Sequence, residues 1–140
     1  MENTARQLLL LSNAGAQMAE SNSGKIGWVD FAVQNAGEVR DFYSAVVGWE
    51  SQPATMGDYE DYCMHLPGDE APVTGICHAK GVNANLPPQW MIYVTVGDLA
   101  SSLLLVIDKG GKVLEQRGEG QGALAIIQDP GGAIAALYQE

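Results

Sequence analysis

The sequence predicts an α+β fold of two tandem βαβββ modules, forming a curled mixed sheet around a central cavity. Three observations carry this expectation. The hydrophobic period runs at two, changes to about 3.6 and returns to two, and the whole series then occurs a second time. Trp28 and Gly48 lie 20 positions apart, as do Trp90 and Gly110, and the two pairs are offset by 62, the mark of a repeated supersecondary unit. The length of 140 residues suits one domain and leaves no room for a second. The folded part is expected over residues 25–140, with modules at 25–80 and 88–140.

In Ile26–Val33, the apolar Val29, Phe31 and Val33 alternate with Trp28, Asp30 and Ala32, which makes a strand with two distinct faces. Val39, Phe42, Tyr43, Val46 and Val47 follow at helical spacing, and Gly48 supplies the stop. Trp49–Ala54, Asp58–Leu66 and Val73–Ala79 are expected as strands, the last two joined by Pro67-Gly68-Asp69. Lys80–Pro88 is a connector, because Pro87-Pro88 cannot continue a regular element. The second series is a strand at Trp90–Val96 and a helix at Leu99–Asp108 stopped by Gly110-Gly111. Strands at Lys112–Gln116, Ala123–Gln128 and Ala133–Gln139 complete it, with a hairpin turn at Asp129-Pro130-Gly131-Gly132. Residues 1–24 lack a strand pattern and are expected as an extension, partly helical at Thr4–Leu11 or disordered.

Composition narrows the function. Leu, Ile, Val and Phe are frequent enough to build a core, and hydrophobic residues make up 46% of the chain. A net charge of −10 repels phosphates, so nucleic acid is not an expected partner. No apolar run reaches the length of a membrane span, and Ser12-Asn13 ends the Leu8–Leu11 run too early for a signal segment. Cys63 and Cys77 lack CxxC spacing, and a cytoplasmic protein with free thiols is the expectation.

A four-stranded sheet with one helix on one side leaves its other side uncovered, and function belongs on that side. In the first strand the helix-free set is Trp28, Asp30 and Ala32; in the fifth it is Met91, Tyr93 and Thr95.

The ordered set Trp28-Val29-Asp30-Phe31, Phe42-Tyr43, Gly48-Trp49-Glu50, Tyr62-Cys63-Met64 and Gly75-Ile76 in the first half has its counterpart in the second. There it continues as Trp90-Met91-Ile92-Tyr93-Val94, Asp98-Leu99, Gly110-Gly111-Lys112-Val113 and Asp129-Pro130-Gly131-Gly132-Ala133. Over residues 25–140 this resembles the vicinal oxygen chelate superfamily, which includes glyoxalase I, extradiol dioxygenases and bleomycin resistance proteins. Metal-using members hold a cation with His, Gln or Glu from the first, fourth, fifth and eighth strands. The resemblance puts Trp28 on the first of these positions, and Met91, or Trp90 by the 62-residue offset, on the fifth. Ala136 falls on the eighth, and the fourth lies near Gly75 to Cys77, where only Cys77 has a donor atom. The expectation is therefore no metal and no cofactor. By resemblance, Trp28 belongs to a branch whose aromatic cavity takes a small organic molecule, with Trp28, Asp30, Met91, Tyr93 and Trp90 as ligand-binding candidates and a homodimer as the assembly.

The remaining reactive groups have plain structural readings beside functional ones. Buried Asp30 could orient a ligand or act as a base. His65 and His78 read as solvent-facing or strand-end residues, although Asp61, Cys63 and His65 share a strand face. Asp58–Asp61 reads as a solvated edge, and Arg117–Gly122 as a flexible hairpin rather than a phosphate loop. The favoured reading is a small-molecule binder. The other is an enzyme of the same superfamily, a lyase, isomerase or dioxygenase, with a relocated metal site or with Asp30 as base.

Overall fold

The structure, a computed structural model, describes residues 22–140. The Thr4–Leu11 turn and most of the 1–24 extension lie outside the described residues. The chain packs as two compact units, one holding residues 29–90 and the other residues 22–28 with 91–140.

The first unit contains the end of β1 (Ile26–Val33), helix α1 (Ala36–Val47), β2 (Glu50–Thr55), β3 (Glu60–His65) and β4 (Pro72–His78). Its strand order is β2-β3-β4-β1. Pairing is antiparallel along β2, β3 and β4, and parallel between β4 and β1. Helix α1 begins one turn before the first apolar position of its periodic pattern, with Asn35 Nδ2 donating to Glu38 3.0 Å away. It ends where the sequence predicts: Gly48 takes a left-handed conformation (φ 80°) that a side chain would strain, and its N–H donates to Ser44 O. Met64, Ile76 and Ala36 form the core between sheet and helix, joined by Val33, Val39, Tyr43 and Tyr62.

The second unit repeats the plan with β5 (Trp90–Val96), α2 (Leu99–Asp108), β6 (Lys112–Arg117), β7 (Leu124–Gln128) and β8 (Ile134–Gln139). Trp90, the first residue of β5, packs with the first unit. The order is β5-β8-β7-β6, antiparallel except for the parallel pair β5 and β8. Leu99, Leu103, Ala123 and Ala125 make its core against Val96, Val106, Val113, Ile127 and Leu137. Residues 22–25 are tied to this unit by Gly24 N–H to Thr95 O (2.7 Å), Thr95 N–H to Lys25 O (2.8 Å) and Asn22 Nδ2 to Glu140 (2.6 Å). In the last hairpin, Asp129 Oδ1 accepts from the backbone N–H groups of Gly131 and Ala133, as the Asp-Pro-Gly-Gly turn requires.

Helix α2 opens on Asp98, whose carboxylate accepts from both the hydroxyl (2.8 Å) and the backbone N–H (3.3 Å) of Ser101. The Ser101 hydroxyl and then its N–H hold the Asp98 carboxyl below its ordinary pKa of 3.8. A depressed carboxyl pKa stabilises the fold above the unfolded value, and this contribution is lost as pH falls through the folded one. Asp98→Ala is thus expected to lower Tm at pH 7, and the gap between variant and parent should shrink on acidification below pH ~4. A pH series of thermal melts checks this.

Candidate functional site

Strand alternation and cross-strand register define a helix-free face in each unit. In the first, Asp30 lies opposite Gly75 and Ala32 opposite Cys77, while Cys63 lies opposite both Gly75 and Gln52, and Ala54 opposite Asp61. This face carries two carboxylates, Asp30 and Asp61, each 1% exposed, with the half-buried thiol of Cys63 and the buried one of Cys77. Burial, then the charges of Asp30 and Asp61, push the Cys77 thiol well above its usual pKa, and burial with Asp61 raises Cys63 as well. A thiol held protonated is a poor nucleophile. In the native chain a colorimetric disulfide reagent is expected to leave Cys77 unmodified and to react slowly with Cys63, both thiols reacting fully in guanidinium. Rapid modification of two thiols without denaturant contradicts this placement.

The structure corrects three readings of this unit. Trp90 is not on the helix-free side: it packs against Phe31 (ring centroids 5.0 Å), Tyr43 (5.3 Å) and Trp49 (6.2 Å), and its Nε1 donates to Tyr43 Oη at 3.3 Å. A period of two places neighbours Trp90 and Met91 on opposite sides of β5, so the two could not both line the helix-free face. Asp61 is not part of a solvated edge. It is buried, and its Oδ1 accepts from the His78 backbone N–H (2.7 Å) and lies 3.3 Å from His78 Nδ1. His65 is buried too, and both ring nitrogens lack a hydrogen-bond partner, whereas the side chain of His78 at the end of β4 stays 18% exposed.

In the second unit, Tyr93 lies opposite Ala136, Thr95 opposite Tyr138, Ile126 opposite both Ala136 and Glu115, and Leu124 opposite both Tyr138 and Arg117. Met91, Tyr93, Thr95, Leu124, Ile126, Ala136 and Tyr138 are all buried. Trp28, at the start of β1, is buried in this unit, and its indole N–H has no hydrogen-bond partner. Arg117 corrects the hairpin reading. It is the last residue of β6 and is buried, with its Nε donating to Glu115; the turn that follows is carried by Gly118, Gly120 and Gly122 at positive φ. Sequence reasoning passed over Arg117 because the glycines after it dominate the local pattern. The signal was parity, since Glu115 and Arg117 share a strand face.

Among the described residues, no three His, Cys, Asp or Glu side chains are placed to hold a metal ion. The positions that the resemblance assigns to metal ligands carry an indole, a thioether and a methyl, and the fourth lies near Gly75 to Cys77, where the one donor atom is the Cys77 thiol. That donor set does not fit a divalent cation.

No protein-family profile matches the chain. Over 111 residues, 79% of its length, it is 30% identical to the anthracycline biosynthesis protein DnrV of Streptomyces peucetius, and it spans 39% of that protein. Among solved structures it is similar to a glyoxalase/bleomycin resistance protein/dioxygenase superfamily member from Vibrio splendidus 12B01. The TM-score is 0.52 at 14% identity, covering 81% of this chain and 97% of that one. A single-residue variant of the Streptomyces coelicolor methylmalonyl-CoA epimerase in complex with 2-nitronate-propionyl-CoA gives a TM-score of 0.51 at 15% identity, covering 86% and 96%. At such identities the likeness is one of fold.

Proposed function

We propose that this chain, whose fold is like that of a glyoxalase/bleomycin resistance protein/dioxygenase superfamily member, binds a planar aromatic small molecule on the helix-free face of its second unit. The single observation that carries this reading is Trp28, a buried indole whose N–H is unpaired in a unit whose helix-free face is lined by Met91 and Tyr93. A buried donor without an acceptor costs about 1–3 kcal/mol, and a ligand oxygen would remove that cost. Flat aromatic walls and a thioether suit a fused-ring ligand. Arg117, steadied by Glu115, offers positive charge to the phenolic or carbonyl oxygens of such a molecule. The similarity to an anthracycline biosynthesis protein supports this ligand class, although the chain spans about two fifths of that relative.

The test is isothermal calorimetry with daunorubicin as the fused-ring probe, alongside a thermal-shift series of smaller planar phenols. Saturable binding is expected, and Trp28→Ala should weaken it at least tenfold, about 1.4 kcal/mol. No heat and no shift across the series would remove the reading. The enzyme alternative with Asp30 as base makes a different forecast. Asp30→Asn leaves binding unchanged if the chain is a binder, whereas turnover of the bound probe that vanishes in this variant would favour the enzyme.

The proposed assembly is a homodimer, in keeping with the apolar outer faces of the helices. Leu104, Leu105 and Ile107 of α2, and Phe42, Val46 and Val47 of α1, are all more than half exposed. Sedimentation velocity should return about twice the 14.9 kDa chain mass. No helix among the described residues is long and apolar enough to cross a membrane. Free Cys63 and Cys77 fit the proposed cytoplasmic location.

A further inference from the structure

Two side chains buried on one face of β3 leave polar atoms without hydrogen-bond partners. Asp61 is 1% exposed; its Oδ1 accepts from the His78 backbone N–H at 2.7 Å, while its Oδ2 has no partner among the described residues. His65 is 5% exposed, and neither of its ring nitrogens has a partner there. Residues two apart in a strand share a face, so Asp61, Cys63 and His65 stand in one row. The register irregularity beside His65 leaves this row intact. Met64 pairs with Thr74 and His65 with Pro72, which puts the extra residue, Val73, on β4, whereas pairing with β2 runs on evenly from Ser51–Met64 to Glu50–His65.

Small residues surround the interval between the two groups. Cys63 stands in the middle, Gly75 pairs with it from β4 and has no side chain, and Ala54 pairs with Asp61 from β2. Gln52 and Glu50, opposite Cys63 and His65, are exposed, and Cys63 is half-buried, so the row is reached from the β2 side. Among the described residues no Lys or Arg pairs with Asp61, whose one ion-pair contact is the His78 ring at 3.3 Å from Oδ1. The row belongs to the first unit and is independent of Trp28, Met91 and Tyr93.

We propose that this row binds a hydroxylated primary amine of the size of an amino sugar, with the ammonium on Asp61 Oδ2 and a hydroxyl on His65. A carboxylate only accepts, and with one oxygen already engaged it suits the point charge of an ammonium better than the two-pronged fork of a guanidinium. An uncharged imidazole has one N–H donor and one acceptor nitrogen, and a hydroxyl group answers either. Four residues of strand set the Cα atoms of Asp61 and His65 about 13 Å apart, an interval that the two side chains and one six-membered ring together bridge. Exposed Glu50 beside His65 adds negative charge, which works against an anionic ligand and favours a cationic one.

The experiment titrates glucosamine into the full chain at pH 7 by isothermal calorimetry. Saturable binding is expected, at least tenfold tighter than that of N-acetylglucosamine, whose nitrogen is an uncharged amide, and of propylamine, which has the ammonium but no hydroxyl. No binding of glucosamine, or equal binding of its acetylated form, overturns the proposal. Nitrogen NMR of the parent chain locates the site without any variant: the His65 ring signals should move on saturation, and signals that stay fixed overturn it. Asp61→Asn keeps an oxygen to accept the His78 N–H and should weaken glucosamine at least tenfold, with a thermal melt confirming that it is folded; full affinity in the folded variant overturns the assignment. His65→Phe fills the place of the ring without polar atoms and should bring glucosamine down to the level of propylamine. An undiminished preference for glucosamine in that variant overturns the hydroxyl contact.

Discussion

Met64→Ala is expected to lower the unfolding free energy by about 3 kcal/mol, within the range of about 2–5 kcal/mol for truncating a fully buried long aliphatic side chain. Met64 has no exposed surface and sits at the centre of the first unit's core, with Ala36 and Ile76 as fully buried partners. Removing its thioether arm loses transfer free energy and leaves a cavity. Collapse around that cavity is limited, because the Ala36 methyl is too short to follow and Ile76 is held in a strand. Urea denaturation should show a lower midpoint with an unchanged slope. Met64 lies on the helix side of β3, the opposite face from Asp61 and Cys63, so the slow modification of Cys63 in the folded chain should not change. Faster modification of Cys63 beyond the gain in unfolded protein would mean that the two faces are coupled.

Gly111→Ala is expected to destabilise by about 2–3 kcal/mol, toward the upper end of the cost of overpacking. A methyl at position 111 would stand 2.8 Å from the Gln128 carbonyl oxygen, 3.0 Å from Val106 Cγ1 and 3.1 Å from the Val106 carbonyl oxygen. Two of these three neighbours are backbone atoms. The Gly111 N–H also donates to the Val106 carbonyl at 2.8 Å, so the chain cannot step away without breaking the C-terminal cap of α2. Gly110 offers the contrast. Its φ of 91° penalises a side chain, but the nearest atom to an added methyl is Pro130 Cγ at 3.9 Å. Gly110→Ala should therefore cost only the conformational term, about 1–2 kcal/mol. If the two variants melt together, the close packing of residue 111 against β7 is refuted.

How far the site can be read from the chain depends on which kind of information each residue needed. Met91 and Tyr93 are assigned to the helix-free face by alternation alone, and both are buried there. Trp90 shows the limit of reading by offset: aligning the two modules by 62 residues made it equivalent to Trp28, but strand parity turns it toward Tyr43 and Trp49. Asp61 was hidden by its neighbours. Asp58 and Glu60 are exposed, and a run of acids looks like a solvated edge, yet in a strand every second member of such a run points the other way. Arg117 was hidden in the same manner by the glycines that follow it.

Local order along the chain was legible without coordinates: the βαβββ series and its repetition, the glycines that stop both helices, and the Asp-Pro-Gly-Gly hairpin. These follow from steric and hydrogen-bonding preferences spanning a few residues, and those preferences are written in consecutive letters. The folded chain alone decided that β4 runs parallel to β1 and antiparallel to β3, which sets Gly75 opposite Asp30 and also opposite Cys63. It likewise decided that Asp61 reaches across 17 positions to His78. Register is a property of pairs of strands. It is selected by which side chains fill the space under the helix, Met64 and Ile76 here, and a shift by one residue would exchange the two faces. No spacing within one strand contains that choice, so the contact of Asp61 with His78 became visible only when the strands were laid side by side.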